Sequence, residues 1–489
     1  MPTVLCRALL ALGLAAATTL AAARADLDAQ LPELGDPADR YLSPAQEREL
    51  GAAFLRDVYR AGLVLEDAEV SAYIQHLGDE LSNALARKPY PFTFFIVRDD
   101  AINAFAVPGG YIGVNSGLIL ASNNESELAA VLAHEIAHVA QRHIARAIAE
   151  AASGSTAALG AILAGMLIAM AGGSNADAGA ALAYAGAAAQ AQAQINYTRS
   201  NEIEADRIGL EILHRAGFDP NGMASFFRTM QLRRFGAIPR EFQFILTHPL
   251  DETRIAEARA RLAKLPPQPH ADSPHYRYGK ARLRALVHPE PIRLARELRR
   301  DVEALNKPDP VLLYALSQAL ERARDPAGAA AVLAPLLRED PENLSLQLAM
   351  ARAELDQGKR AAAAARMEKL LALHPDHFAV VYHHALAQRG GPTPEKGWQP
   401  LKTLLEHRRP VILEAYRLLA ELYEQDGRTV DARETIAEYY YQRGDTHAAV
   451  FQLRSALREP GLSTARRVVL ERRLRQILDE TRRDEQPRR

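Results

Sequence analysis

Leu128-Ala129-Ala130-Val131-Leu132-Ala133-His134-Glu135-Ile136-Ala137-His138-Val139-Ala140 contains no helix breaker, and four residues separate its two histidines. Four residues is just over one turn of α-helix, so both imidazoles leave the same face and can meet one ion. The surrounding pattern predicts one helix from about Asn124 to Glu150, opened by Asn124 with Glu127 three residues later in a capping-box variant. Glu135 projects about 100° from His134, close enough to hold a water at the metal without displacing it. This geometry suits Zn²⁺, one per chain, which in catalytic sites takes three protein ligands and a water. The ion lowers the water's pKa, and Glu135 can take its proton during attack on a peptide carbonyl.

A third ligand is supplied by Glu202-Ile203-Glu204-Ala205-Asp206. Glu202 completes a set of two histidines and a glutamate. Asp206, one turn on, can accept a hydrogen bond from a ligand imidazole and fix its tautomer. Alone, these acids would read as a solvated helix face; downstream of His-Glu-x-x-His they read as ligands. His143 follows Arg142 and reads as a structural partner on the same helix. His248 ends an apolar run before Pro249, which disfavours helix there and leaves it in a connection that can move. It has three possible roles: a fourth ligand that closes the site, an oxyanion donor, or a helix cap.

Upstream, Ser43 and Pro44 open an amphipathic helix as N-cap and first helical residue. β-rich runs at Pro91–Val97 and Tyr111–Asn115 flank Asn103-Ala104-Phe105-Ala106 and the turn Pro108-Gly109-Gly110, suggesting a small sheet with hairpin turns. Between the histidines and Glu202, residues 157–189 are nearly all small or apolar. They predict a helical lid or membrane-touching hairpin, or else a buried Ala-rich one; each arm is short for a span.

Pro266, Pro267 and Pro269 mark a linker. Beyond it Asp309-Pro310, Asp340-Pro341, His374-Pro375 and Arg409-Pro410 recur at intervals of 31, 34 and 35 residues, and Gly358 and Gly427 each fall 17 residues after a unit's Pro. That is the helix–turn–helix period of tetratricopeptide repeats, with chance spacing in another helical domain as the alternative. The fold expected is mainly α with a small β-sheet: residues 1–25 a signal peptide, 26–265 a zincin metalloprotease domain, 266–275 the linker, 276–482 an α-solenoid of repeats and 483–489 a charged tail.

Composition agrees. Lys plus Arg number 59 and Asp plus Glu 60, so no basic footprint for nucleic acid exists. Arg7, an apolar run from Ala8 to Ala23 and Ala23-Arg24-Ala25 form a cleavable export signal, an uncleaved anchor being the alternative. The only cysteine, Cys6, would leave with it, and a bacterial periplasm is the natural destination.

Taken together, Asn103-Ala104-Phe105 before a Pro-Gly-Gly turn, the histidine helix, Asn201-Glu202-Ile203-Glu204-Ala205-Asp206 and Thr247-His248-Pro249 resemble the gluzincin peptidases of the CAAX prenyl protease type, in their soluble periplasmic branch with C-terminal tetratricopeptide repeats. The resemblance implies zinc on His134, His138 and Glu202, with Glu135 as base and a histidine of the Thr247-His248-Pro249 motif near the metal. It implies that Asn103, Ala104 and Phe105 lie on an edge strand that pairs with substrate backbone. It also implies unfolded or stalled outer-membrane polypeptides as clients and the outer-membrane barrel assembly machinery as partner. The competing function is a chaperone or adaptor with a self-inhibited metal site.

Overall fold

The structure is a computed structural model describing residues 37–150, 199–233, 248–407 and 412–485. The signal peptide and the apolar arms of 157–189 lie outside these residues. So does most of the run into His248.

Helix α1 (Pro44–Arg60) starts as its sequence requires: Ser43 accepts from the Gln46 backbone and the Gln46 side chain returns the bond, with Pro44 at the first position. Helix α2 (Ala68–Asn83) is capped by Asp67. Three short strands follow, β1 (Thr93–Val97), β2 (Ala104–Val107) and β3 (Tyr111–Asn115), in the order β1-β3-β2. β2 and β3 form the expected hairpin, with Gly109 and Gly110 at φ +83° and +90° in its turn. β1, by contrast, pairs with β3 in parallel, Thr93 opposite Tyr111. Strand alternation then sorts the side chains. Phe94, Ile96, Ala104, Ala106, Ile112 and Val114 join the main core beneath α2 and the histidine helix. Phe95, Val97, Phe105, Val107 and Tyr111 pack with Phe54 and Val58 of α1 on the other face.

After α3 (Ser116–Ala121), the histidine helix α4 runs only from Glu125 to Ala140. Asn124 caps it as read, whereas the Glu127 carboxylate turns to the Asn123 backbone rather than to Asn124. The single helix expected to Glu150 is in fact two. Arg142 adopts φ +51°, and α5 (His143–Glu150) sets off in a new direction. No Gly marks the break. The Arg142 guanidinium holds it open by reaching Asp39, Glu47 and the Leu42 carbonyl. Helices α6 (Arg199–Arg215), α7 (Asn221–Arg233) and α8 (Glu252–Leu262) complete this half.

The proline segment after α8 is fastened down rather than left as a free tether. Gln268 donates to the carbonyls of His214 and Phe218. Glu125, first residue of α4, accepts from the Ser273 amide at 2.6 Å, the Ser273 hydroxyl at 2.7 Å and Tyr73 at 3.0 Å. Ser273 in turn caps α9 (Pro274–Val287).

From there helices alternate: α10 (Pro291–Glu303), α11 (Pro310–Arg322), α12 (Pro326–Glu339), α13 (Leu344–Asp356), α14 (Arg360–Leu373), α15 (Phe378–Gln388), α16 (Glu395–His407), α17 (Glu414–Gln425), α18 (Thr429–Gln442), α19 (Thr446–Ala456) and α20 (Thr464–Glu485). Gly358 and Gly427 turn within their pairs at φ +75° and +70° with open space around them, so backbone conformation alone selects glycine there. The repeats curl back onto α2. Arg282 of α9 pairs with Asp67 and Arg352 of α13 pairs with Glu69, while Glu66 accepts from the backbone of Leu413 and Glu414 at the start of α17.

Candidate metal centre

Helix α4 brings His134, Glu135 and His138 to the core boundary, α6 brings Glu202 and Asp206 alongside, and the residue opening the next described segment, His248, reaches the same point. All six are buried. One atom each from His134, His138, Glu202 and His248 lies within 4.8 Å of all the others, a grouping that can hold a metal ion. Nε2 of His134 and of His138 are 3.0 Å apart, and Nδ1 of His248 lies 3.3 Å from His134 Nε2. Glu202 oxygens lie 3.5 Å from His134, 3.4 Å from His138 and 3.2 Å from His248. Ligands about 2.0–2.1 Å from a tetrahedral Zn²⁺ lie roughly 3.3 Å from one another, so the spacing fits that ion.

The outer hydrogen bonds turn the imidazole lone pairs inward. Asp206 Oδ1 lies 2.9 Å from His134 Nδ1 and accepts a hydrogen bond from its N–H, turning Nε2 toward the cluster. His138 Nδ1 lies 2.8 Å from His143 Nδ1, and His143 Nε2 lies 3.3 Å from Glu204. Glu204 accepts from His143 Nε2–H, so His143 Nδ1 accepts from His138 Nδ1–H and the inward nitrogen of His138 is again a lone pair. Burial holds His143 neutral, its pKa lowered to about 4. The break at Arg142 is what swings His143 back under His138.

Arg254, wholly buried at the start of α8, grips the carboxylates. It lies 2.8 Å from Glu202 and makes two hydrogen bonds of 2.8 and 2.9 Å to Asp206. The charge pattern favours a cation at the centre. Against the cost of burial, the histidines around Glu202 hold its carboxyl far below the usual range. Burial is likewise outweighed at His134, where Asp206 and Glu202 raise the pKa to about 10, so a proton on Nε2 is the alternative cation that a metal ion would displace.

Glu135 is fully buried, and burial pushes its pKa upward. It lies 3.3 Å from Nε2 of His248 and beside the Ala106 backbone. β2 is an edge strand. Asn103 O accepts from Asn115 N, so by alternation Ala104 and Ala106 turn their backbone groups outward, toward Glu135. The Phe105 side chain packs instead against Phe54 and Phe95.

Sequence reasoning passed over Arg254, Ala106 and the bond from Glu204 to His143. Arg254 carried a faint signal: a cation in the first turn of a helix opposes the helix dipole, so some other partner is implied.

Residues 68–262 match Peptidase family M48, and residues 300–388 match a tetratricopeptide-repeat family. The chain is 34% identical over 351 residues to the beta-barrel assembly-enhancing protease of Yersinia pestis, covering 71% of each chain. It is 41% identical over 282 residues to the putative beta-barrel assembly-enhancing protease of Vibrio cholerae serotype O1, covering 58% of this chain and 57% of that one. A shorter match, 33% identity over 160 residues, joins it to the mitochondrial metalloendopeptidase OMA1 of Schizosaccharomyces pombe, with 33% and 43% covered. The match to the Vibrio relative thus spans little more than half of that protein's length. The chain belongs to peptidase family M48, its peptidase-family domain followed by tetratricopeptide repeats.

Proposed function

We propose that this protein is a periplasmic zinc endopeptidase that hydrolyses misfolded or stalled outer-membrane polypeptides, with His134, His138 and Glu202 holding one Zn²⁺. What carries the reading is the convergence of inward-facing donor atoms beside a buried carboxylate and the edge strand β2. When bound, zinc supplies a Lewis acid that polarises a peptide carbonyl and acidifies a water. Glu135 takes that water's proton and hands it to the leaving amine. The outward backbone groups of Ala104 and Ala106 hold the substrate main chain, a mode that asks little of substrate side chains. Asp206, His143 and Arg254 are positioning residues that keep the ligands aimed. The export signal supports the periplasmic location, and the relatives' names support clients in barrel assembly and a role for the repeats in binding them or the assembly machinery. Among the described residues no helix is long and apolar enough to cross a membrane.

One observation favours the second reading, an adaptor with a self-inhibited centre. His248 completes the donor set and stands 3.3 Å from Glu135, in the space that water and substrate carbonyl need. We read His248 as a closing ligand on an active peptidase.

Casein cleavage and zinc content of purified variants test these roles. Glu135→Gln should lose cleavage about 10²–10⁴-fold while keeping zinc; cleavage at the wild-type level would reject Glu135 as the base, and full rescue of a cell-envelope defect by this variant would favour the adaptor. Glu202→Ala should lose zinc, and full retention would reject it as third ligand. His248→Ala should raise basal cleavage; a fall of about 10²-fold would assign it to the oxyanion instead.

A further inference from the structure

We propose that the cavity between the peptidase domain and the repeats takes an extended polypeptide segment as an added strand on the outer edge of β1, separate from the metal centre. The proposal deepens the reading above, resting on polypeptide being what the protein handles.

β1 is the sheet's second edge. Thr93 N–H donates to Gly110 O at 2.8 Å, so Thr93 faces β3 and its neighbours Phe92, Phe94 and Ile96 turn their backbone outward. The C-terminal half of that edge is covered by main chain: Leu65 N–H donates to Ile96 O, and Arg98 N–H to Leu63 O, both at 2.8 Å. Among the described residues, the N-terminal half is met by one side chain. The Gln75 carboxamide donates to Phe92 O at 3.2 Å and accepts from Phe94 N–H at 3.0 Å. A carboxamide carries the donor and acceptor of a peptide unit, so Gln75 occupies the place of a partner strand's backbone. It is half-buried and also bonded to Asp79, at 3.0 Å, so it has a second partner to turn to when displaced. An incoming strand would exchange these bonds one for one.

This half-edge opens into a cavity of about 800 Å³, within the size range of ligand pockets. The far wall is built by the repeats, with Gly279 of α9, Leu348 of α13 and Phe378 of α15. Phe92 and Tyr73 add apolar surface from the peptidase side. Of the charges in the lining, Arg282 is paired to Asp67 and Glu69 to Arg352, while Asp79 and Asp376 add exposed carboxylates. The occupant that fits is an extended apolar segment carrying a lysine or arginine.

The test uses the full chain bearing Glu135→Gln, so that the probe survives, and fluorescence anisotropy of a labelled decapeptide alternating Val with Thr and ending in Lys. N-methylation of every second amide should weaken binding about tenfold, since each blocked donor strands a backbone carbonyl, while the intervening amides tolerate it. Gly279→Leu, where an added Cβ meets only Tyr73 at 3.8 Å, should fill the cavity and weaken binding at least about tenfold. Ser345→Trp serves the same purpose from α13 should the first variant misfold. Gln75→Ala, which removes the competitor, should bind at least as tightly as its parent. A uniform response to N-methylation, or binding indifferent to both filling substitutions, overturns the proposal, and the latter moves the probe to another edge such as β2. Tenfold loss in Gln75→Ala also overturns it, making that side chain the ligand contact. Cleavage is off throughout, so these failures leave the peptidase reading standing, and the Glu135→Gln comparison with wild type tests that reading alone.

Discussion

Two buried polar clusters hold this molecule's attention, and they are built on opposite plans. Between the peptidase domain and the repeats, the Arg282 guanidinium lies 2.6 Å from Asp67, and Arg352 meets Glu69 and, at 3.0 Å, Glu321. Cations there meet anions, and each guanidinium nitrogen of Arg282 and Arg352 has an oxygen to donate to. At the metal centre the protons have been drawn outward, to Asp206 and through His143 to Glu204, so that acceptor atoms face one another 3.0–3.5 Å apart. Apposed lone pairs repel unless something positive lies between them. A self-neutralised cluster holds structure together; an outward-protonated one is a receptacle.

That contrast can be broken by removing one member at a time. The largest effect is expected from Arg282→Ala, which leaves Asp67 buried without its partner. It should cost about 3–5 kcal/mol in urea unfolding and leave zinc stoichiometry unchanged; a loss under about 1 kcal/mol would put the cluster among surface ion pairs. Asp206→Asn comes next, with zinc affinity falling about 10–100-fold in a chelator competition. Unchanged affinity would mean that Asp206 serves Arg254 rather than His134. The smallest is Glu204→Gln, whose amide oxygen still accepts from His143, so affinity should drop less than about tenfold. A drop as large as that of Asp206→Asn would show that the charge, and not the bond, orients His138.

The donors were readable because their spacing is local. His134 and His138 share a helix face, and Glu202 and Asp206 share another one turn apart, so periodicity carried the geometry. His248 depended on a loop position that periodicity does not encode. The end of α4 was unreadable for a different reason: nothing at Gln141-Arg142 breaks a helix, and the positive φ is imposed by Asp39 and Glu47, about a hundred residues upstream. The parallel pairing of β1 with β3 was hidden likewise, since hydrophobic alternation fixes which face a side chain takes but not the strand's direction. The repeat period was legible from Pro and Gly. The wrap of the repeats onto α2 was not, because Asp67 and Arg282 stand 215 residues apart and each alone looks like an ordinary surface charge.

The fastening of Glu125 to Ser273 has a mechanical consequence. One carboxylate ties the first residue of the histidine helix to the cap of the first repeat helix. Nine residues of stiff α-helix, about 13 Å, separate that knot from His134. Tension on the repeats, as from a chain being drawn away by another machine, is therefore delivered along the axis of α4, end-on to the residues that do the chemistry. In load-path terms the solenoid is a handle and α4 is its shaft.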